Sequence, residues 1–393
     1  MLKHLSLLGL VLVILGCQNP PAGESEKTGG KELPLDWAAI SATLLERMDL
    51  QAGENVLLAG VSGDFDPLIP LLEDGIVKAD ANYLGAIAVE GEPPESWTTE
   101  FTQQAEGRSR EELRSYFSDV DLGVMLPGAD PSHAPYGALQ DILEEGSRRT
   151  IHFHWSGAYY LDGAEKAIDS TVHEFYEKAL LETDYEELAA VQREFEEAMR
   201  GLTIQVTTPA GTNLLFQIGD RPVTRQDGDA SAERARQGQN LIDREVELPA
   251  GAIRVAPLEE TVSGTIAFPD GQWNGQPVKG LVMTFEQGKV TDFQAEEGRE
   301  HVQAELDEAG EAGRSFREFA LGFNPLLSIE AAGGDWIPYY GYGAGVVRLS
   351  LGDNTELGGK VGGGYVRWNF FTDASVAVGD WPWVRDGKLI VEN

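Results

Sequence analysis

One cysteine stands in a chain of 393 residues, and its place at Cys17 leaves the rest of the sequence without a disulfide or a thiol nucleophile. Basic residues are also short, with 30 Lys and Arg against 65 Asp and Glu and a net charge of -35. That imbalance turns the attraction of a phosphate backbone or an anionic lipid surface into repulsion, so nucleic acid is excluded as a partner. Histidine, the usual metal ligand and proton carrier near neutral pH, occurs six times. His4 falls in the leader, and His133, His152, His154, His173 and His301 remain. His152 and His154 lie two apart on an expected strand and so face one side, but no acidic residue follows within that strand to complete a ligand set. His173 shares a helix face with Tyr176 and reads as locally satisfied, while His301, in the charged run EEGREHVQAELDE, reads as a solvated helix residue.

No phosphate-binding loop is present either. The stretch GVSGDFDP follows the first apolar run, but its glycines have the wrong spacing and its Asp64 and Asp66 would repel a phosphate. No strained strand-to-helix turn presents a serine nucleophile.

What the sequence does contain begins with MLKHLSLLGLVLVILGC: a short basic start, an apolar run from Leu5 to Leu15 and a small residue before Cys17. This is the pattern of a bacterial export signal, residues 1–17, and Ile14, Leu15 and Gly16 before Cys17 form a lipoprotein-type cleavage sequence. Lipidation of Cys17 is expected, and Gln18 in place of Asp favours the outer membrane over the inner. Residues 18–34, rich in Pro, Gly and charge, read as a flexible tether.

About 360 residues remain, enough for two ordinary domains with real cores. Residues 35–200 alternate short apolar runs (NVLLAG, LGAIAVEG, VDLGVML) with helical periodicity, which predicts an α/β domain with a parallel sheet. Ser109 and Asp184 are expected N-caps, the latter with Glu187 three residues on and Gly201 as a stop. From Leu202 the period switches to two, which predicts a strand-rich domain over 201–393 with hairpin turns at Gln287-Gly288 and Asp386-Gly387 and one helix near Glu300 to Ala312.

Three stretches of the second half, LPAGAIRVAPLEETVSGTIAF, REFALGFNP and GVVRLSLGDN with the Gly-rich VGGGYVRWNFF behind it, resemble in order and spacing the landmarks of the aminopeptidase T family of dinuclear metalloaminopeptidases. The resemblance implies an aminopeptidase T-like fold for the strand-rich domain and a pair of divalent cations, zinc or cobalt, held by two glutamates, two histidines and an aspartate. Carried over motif by motif, one of these five survives, Glu318. The others fall on Ala252, Arg348, Arg367 and Asn369. A methyl group ligates nothing, and a guanidinium stays protonated and has no lone pair to give.

Arg348 and Arg367 are therefore expected to take over the charge of the lost cations by pairing with Glu318, with Arg254 either joining them or facing solvent, and no cofactor is expected. Two functional readings stay open beside a purely architectural one, that of an acidic, envelope-anchored assembly component. The first is an envelope-anchored lipoprotein without metal-dependent hydrolysis that binds peptides or small anionic ligands in the altered cleft, with a homodimer implied by the family. The second is an active metal-dependent aminopeptidase with a rebuilt site, using Glu318 with acids such as Asp335 or Asp353 and a histidine of the first domain.

Overall fold

A computed structural model describes residues 33–390. The expected signal peptide, Cys17 and the expected tether as far as residue 32 lie outside the described residues. Among the described residues no helix is long and apolar enough to cross a membrane.

The first half builds a five-stranded parallel sheet whose strands lie in the order Asn82–Ala88, Asn55–Gly60, Leu122–Met125, Arg149–His152 and Glu245–Glu247. The central strands are apolar runs because helices cover both faces, so every side chain of Leu122–Met125 is buried. The helices start where the sequence provides a cap. The side chains of Ser109 and Asp184 accept from the backbone N–H of Glu112 and Glu187, and Asp36 does the same for Trp37–Met48. The helix Ser170–Glu182 begins where Asp169 caps it by accepting from Val172 N–H.

The second half is antiparallel, as its two-residue period predicts. An eight-stranded sheet runs from Lys289–Gln294 at one edge to Lys388–Leu389 at the other. The two expected hairpin turns are present, with Gln287 and Gly288, and likewise Asp386 and Gly387, at positive φ. The expected helix spans Arg299–Gly313 and is broken at Gly310. One strand departs from the division at residue 200: Glu245–Glu247 lies far inside the strand-rich half by sequence, yet pairs in parallel with Arg149–His152 as the edge of the first sheet.

Between these layers lies a six-stranded antiparallel sheet in the order Val366–Arg367, Val347–Gly352, Phe316–Gly322, Ala252–Val255 and Thr224–Arg225, with Phe370–Phe371 also pairing Val347–Gly352. Alternation gives this sheet two unlike faces. Phe319, Leu321, Val347, Leu349 and Leu351 turn to the large sheet, where Phe216 meets Phe319 with ring centroids 5.2 Å apart. Arg254, Glu318, Arg348 and Ser350 take the other face, and they too are buried. Asn324 joins the halves. Fully buried, its Nδ2 donates to the carbonyl of Ala250 and to Oγ1 of Thr183, both at 2.8 Å, and its Oδ1 accepts from Leu326 N–H. Replacing Asn324 by Ala strands these partners without water, and urea unfolding should register a loss of about 2–3 kcal/mol.

Candidate functional site

The register explains which residues meet. Arg254 and Arg348 both stand opposite Ala320, one on each side of the central strand, and Glu318 stands opposite Ser350. Arg254, Glu318 and Arg348 therefore converge on one face, two residues apart along the strands. The small side chain of Ala320 leaves the space between the guanidiniums open to the carboxylate.

Glu318 is fully buried and held on both oxygens. Its Oε1 accepts from Arg348 Nε at 2.9 Å, lies 2.8 Å from Arg348 Nη2, and is 3.3 Å from the Ser350 hydroxyl. Its Oε2 accepts from Arg254 Nη2 at 3.0 Å and Nε at 3.3 Å. A third guanidinium comes from the neighbouring residue. The pairing slips between Phe316 and Glu318, and this bulge brings Arg317 to the same carboxylate, its Nε 3.6 Å from Oε2. Burial opposes a charge on Glu318, but Arg254, Arg348 and Arg317 outweigh it and hold the carboxyl far below the usual range.

More acids surround these arginines. Glu356 accepts from Arg317 and, at 3.4 Å, from Arg254. Glu247 lies 3.9 Å from Arg254 Nη1, and Arg348 also stacks 4.7 Å above the Trp368 ring. Across the junction, at the carboxyl ends of the parallel strands, Tyr136 places its hydroxyl 3.2 Å from His152 Nδ1 and 3.4 Å from His154 Nε2. Burial lowers the pKa of both histidines, so they pack as neutral rings. Next to them Glu245 receives Gln140 Nε2 at 3.0 Å, and burial together with Glu356 pushes its carboxyl up to about 8.

The other positions expected to take part do not join. Ala252 lies buried on the same strand as Arg254. Arg367, expected to pair with Glu318, instead pairs with Glu305 at 2.9 Å and stacks 3.6 Å over Trp273. The cause is its register, which sets it opposite Leu351 and so out of line with Arg348 and Ser350. Asn369 donates to the Leu349 carbonyl and accepts from Arg367 Nε. The acids proposed for a rebuilt site are elsewhere: Asp353 is occupied by Thr355 and by Gly364 N–H, and Asp335 is exposed. His173 accepts from Trp155 Nε1 and His133 meets Glu90, while His301 is partly exposed beside Glu300. Arg317, Glu356, Glu247 and Glu245 were not foreseen. The adjacent charges of Arg317 and Glu318 inside an otherwise apolar strand were the one signal of a bulge.

The chemistry of this donor set does not fit two divalent cations. The one carboxylate at the centre has both oxygens engaged by protonated guanidiniums, and the groups around it are cations. Among the described residues no group of three or more His, Cys, Asp or Glu is arranged to hold a metal ion.

The thermophilic metalloprotease family (M29) matches residues 182–332, a stretch that takes in the central strands with Arg254 and Glu318. In the solved structures the fold is similar to wild-type AmpT from Thermus thermophilus, with a TM-score of 0.55 and 16% identity over 90% of this chain and 99% of that one. It is equally similar to 2,5-dihydroxypyridine dioxygenase from Pseudomonas putida KT2440, with a TM-score of 0.58 and 14% identity over 92% and 99%. No curated protein matches the sequence. The resemblance to the aminopeptidase T family thus stands on a family match and on a shared fold.

Two substitutions test the cluster. Glu318→Gln leaves three buried guanidiniums short of a charge and should cost about 3–5 kcal/mol in urea unfolding at pH 7. Because the folded carboxyl is depressed, its contribution is present above the unfolded value near 4.3 and is lost as pH falls toward the folded one. The gap between wild type and variant should therefore narrow below about pH 4. Glu245 has the opposite sign: the folded state keeps a proton that the unfolded chain releases above about pH 4.3, so stability falls as pH rises toward 8. Glu245→Gln should flatten that part of the melting-temperature profile.

Proposed function

We propose that this chain is a lipid-anchored envelope protein, exported and attached through Cys17 to the outer membrane of a bacterium, that keeps an aminopeptidase T-like fold without metal-dependent hydrolysis. In this reading it binds peptides or small anions in the cleft where the family's metal centre would stand, and it pairs as a homodimer. The observation that carries it is the enclosure of Glu318 by Arg254, Arg348 and Arg317. Three guanidiniums put positive charge where two divalent cations would bring it, in a form that cannot activate water. The fold itself supports no particular reaction, since similar structures bear the names of an aminopeptidase and of a dioxygenase.

Metal analysis of the purified chain separates this reading from an active enzyme. Less than one tightly bound transition metal per chain is expected, and no release of amino-terminal residues from short peptides after adding zinc or cobalt. Two equivalents of metal, with hydrolysis abolished by a chelator and by Glu318→Ala, would establish the aminopeptidase instead.

A further inference from the structure

One acid of the arginine cluster is far more exposed than the groups it pairs with. Glu318 is fully buried and the side chains of Arg254, Arg317 and Arg348 are exposed by 7%, 3% and 3%, but that of Glu356 is exposed by 42%. Glu356 sits on the short turn Thr355–Leu357, which ends at Gly358 with φ 80°. One of its oxygens, Oε1, receives both Arg317 Nη2 and Arg254 Nη2. A carboxylate reaching in from a surface turn to two buried guanidiniums occupies the place that a ligand carboxylate would take.

Charge balance points the same way. Arg254, Arg317 and Arg348 face Glu318, Glu247 and Glu356, so the buried group is neutral while Glu356 is in place. Without it, one positive charge is left under cover, which is strongly disfavoured unless another anion replaces it. Glu356 itself loses little by leaving, because its exposed carboxylate is solvated on turning outward. A second observation is independent of this exchange: Arg317 Nε is buried, lies 3.6 Å from Glu318 Oε2 and makes no hydrogen bond, so the acids now present do not use all the donors of this guanidinium.

We propose that Arg254 and Arg317 form a binding site for the carboxylate of a small organic acid, and that Glu356 fills this site until the ligand displaces it. The site rests on the reading of the cleft as an anion-binding and not a metal-binding place, and it names the anion. A carboxylate is favoured over a phosphate because the group already seated there is a carboxylate, one oxygen of which is shared by the two guanidiniums.

The test is calorimetric titration of the full chain with succinate and, separately, inorganic phosphate. Glu356→Gln removes the internal competitor's charge and should bind succinate at least about tenfold more tightly than wild type. Adding Arg317→Met to that variant should abolish the gain. Glu356→Asp, too short to reach both guanidiniums, should fall between wild type and Glu356→Gln and serves if the Gln variant does not fold. Succinate binding that is unchanged in the Gln or the Asp variant overturns the proposal, as does a gain that survives Arg317→Met or a preference for phosphate. Failure here with a metal-free protein leaves the non-hydrolytic reading standing, whereas two bound metals remove both.

Discussion

A fully buried carboxylate is tolerable only with partners, and the arrangement of Glu318 sets the requirements for its whole neighbourhood. Its two oxygens need donors on both sides, which fixes Arg254 and Arg348 on the flanking strands and a small residue, Ala320, between them. Three guanidiniums around one carboxylate then need further acids, and Glu247 and Glu356 arrive from two different parts of the chain. The polar face of the central sheet is thus a closed electrostatic unit inside a hydrophobic surround. It links strands, a surface turn and the first sheet through charge where the opposite face of the same sheet links layers through Phe216, Phe316 and Phe319.

The layered fold was largely legible in the sequence because periodicity is a local property. Apolar runs separated by helical spacing gave the parallel sheet, and the change to alternation at Leu202 gave the antiparallel half. Caps at Ser109 and Asp184 and the turns at Gln287-Gly288 and Asp386-Gly387 are short-range chemistry, and they fall where the residues require. The strand Glu245–Glu247 was not legible as a partner of Arg149–His152, since parallel pairing over such a separation leaves no mark on either segment.

The site was legible in part. Landmark order brought Glu318 and Arg348 together because they stand on neighbouring strands, but it left open whether Arg254 joins them or faces solvent. Arg367 shows the limit: a residue in a matching motif still turns away when the strand it sits on pairs out of line, and here Trp273 and Glu305 hold it. Arg317 and Glu356 contribute as much charge to the cluster as the residues found by motif. Their roles depend on a bulge and on a turn, features that a spacing pattern does not encode.

The strand Glu245–Glu247 also decides what kind of object the molecule is. A sheet whose last strand is lent by the other half cannot be cut at the change of period without baring the backbone of Arg149–His152 along an open edge. The two halves therefore share one piece of woven backbone, and Glu247 on that borrowed strand meets Arg254 of the central sheet.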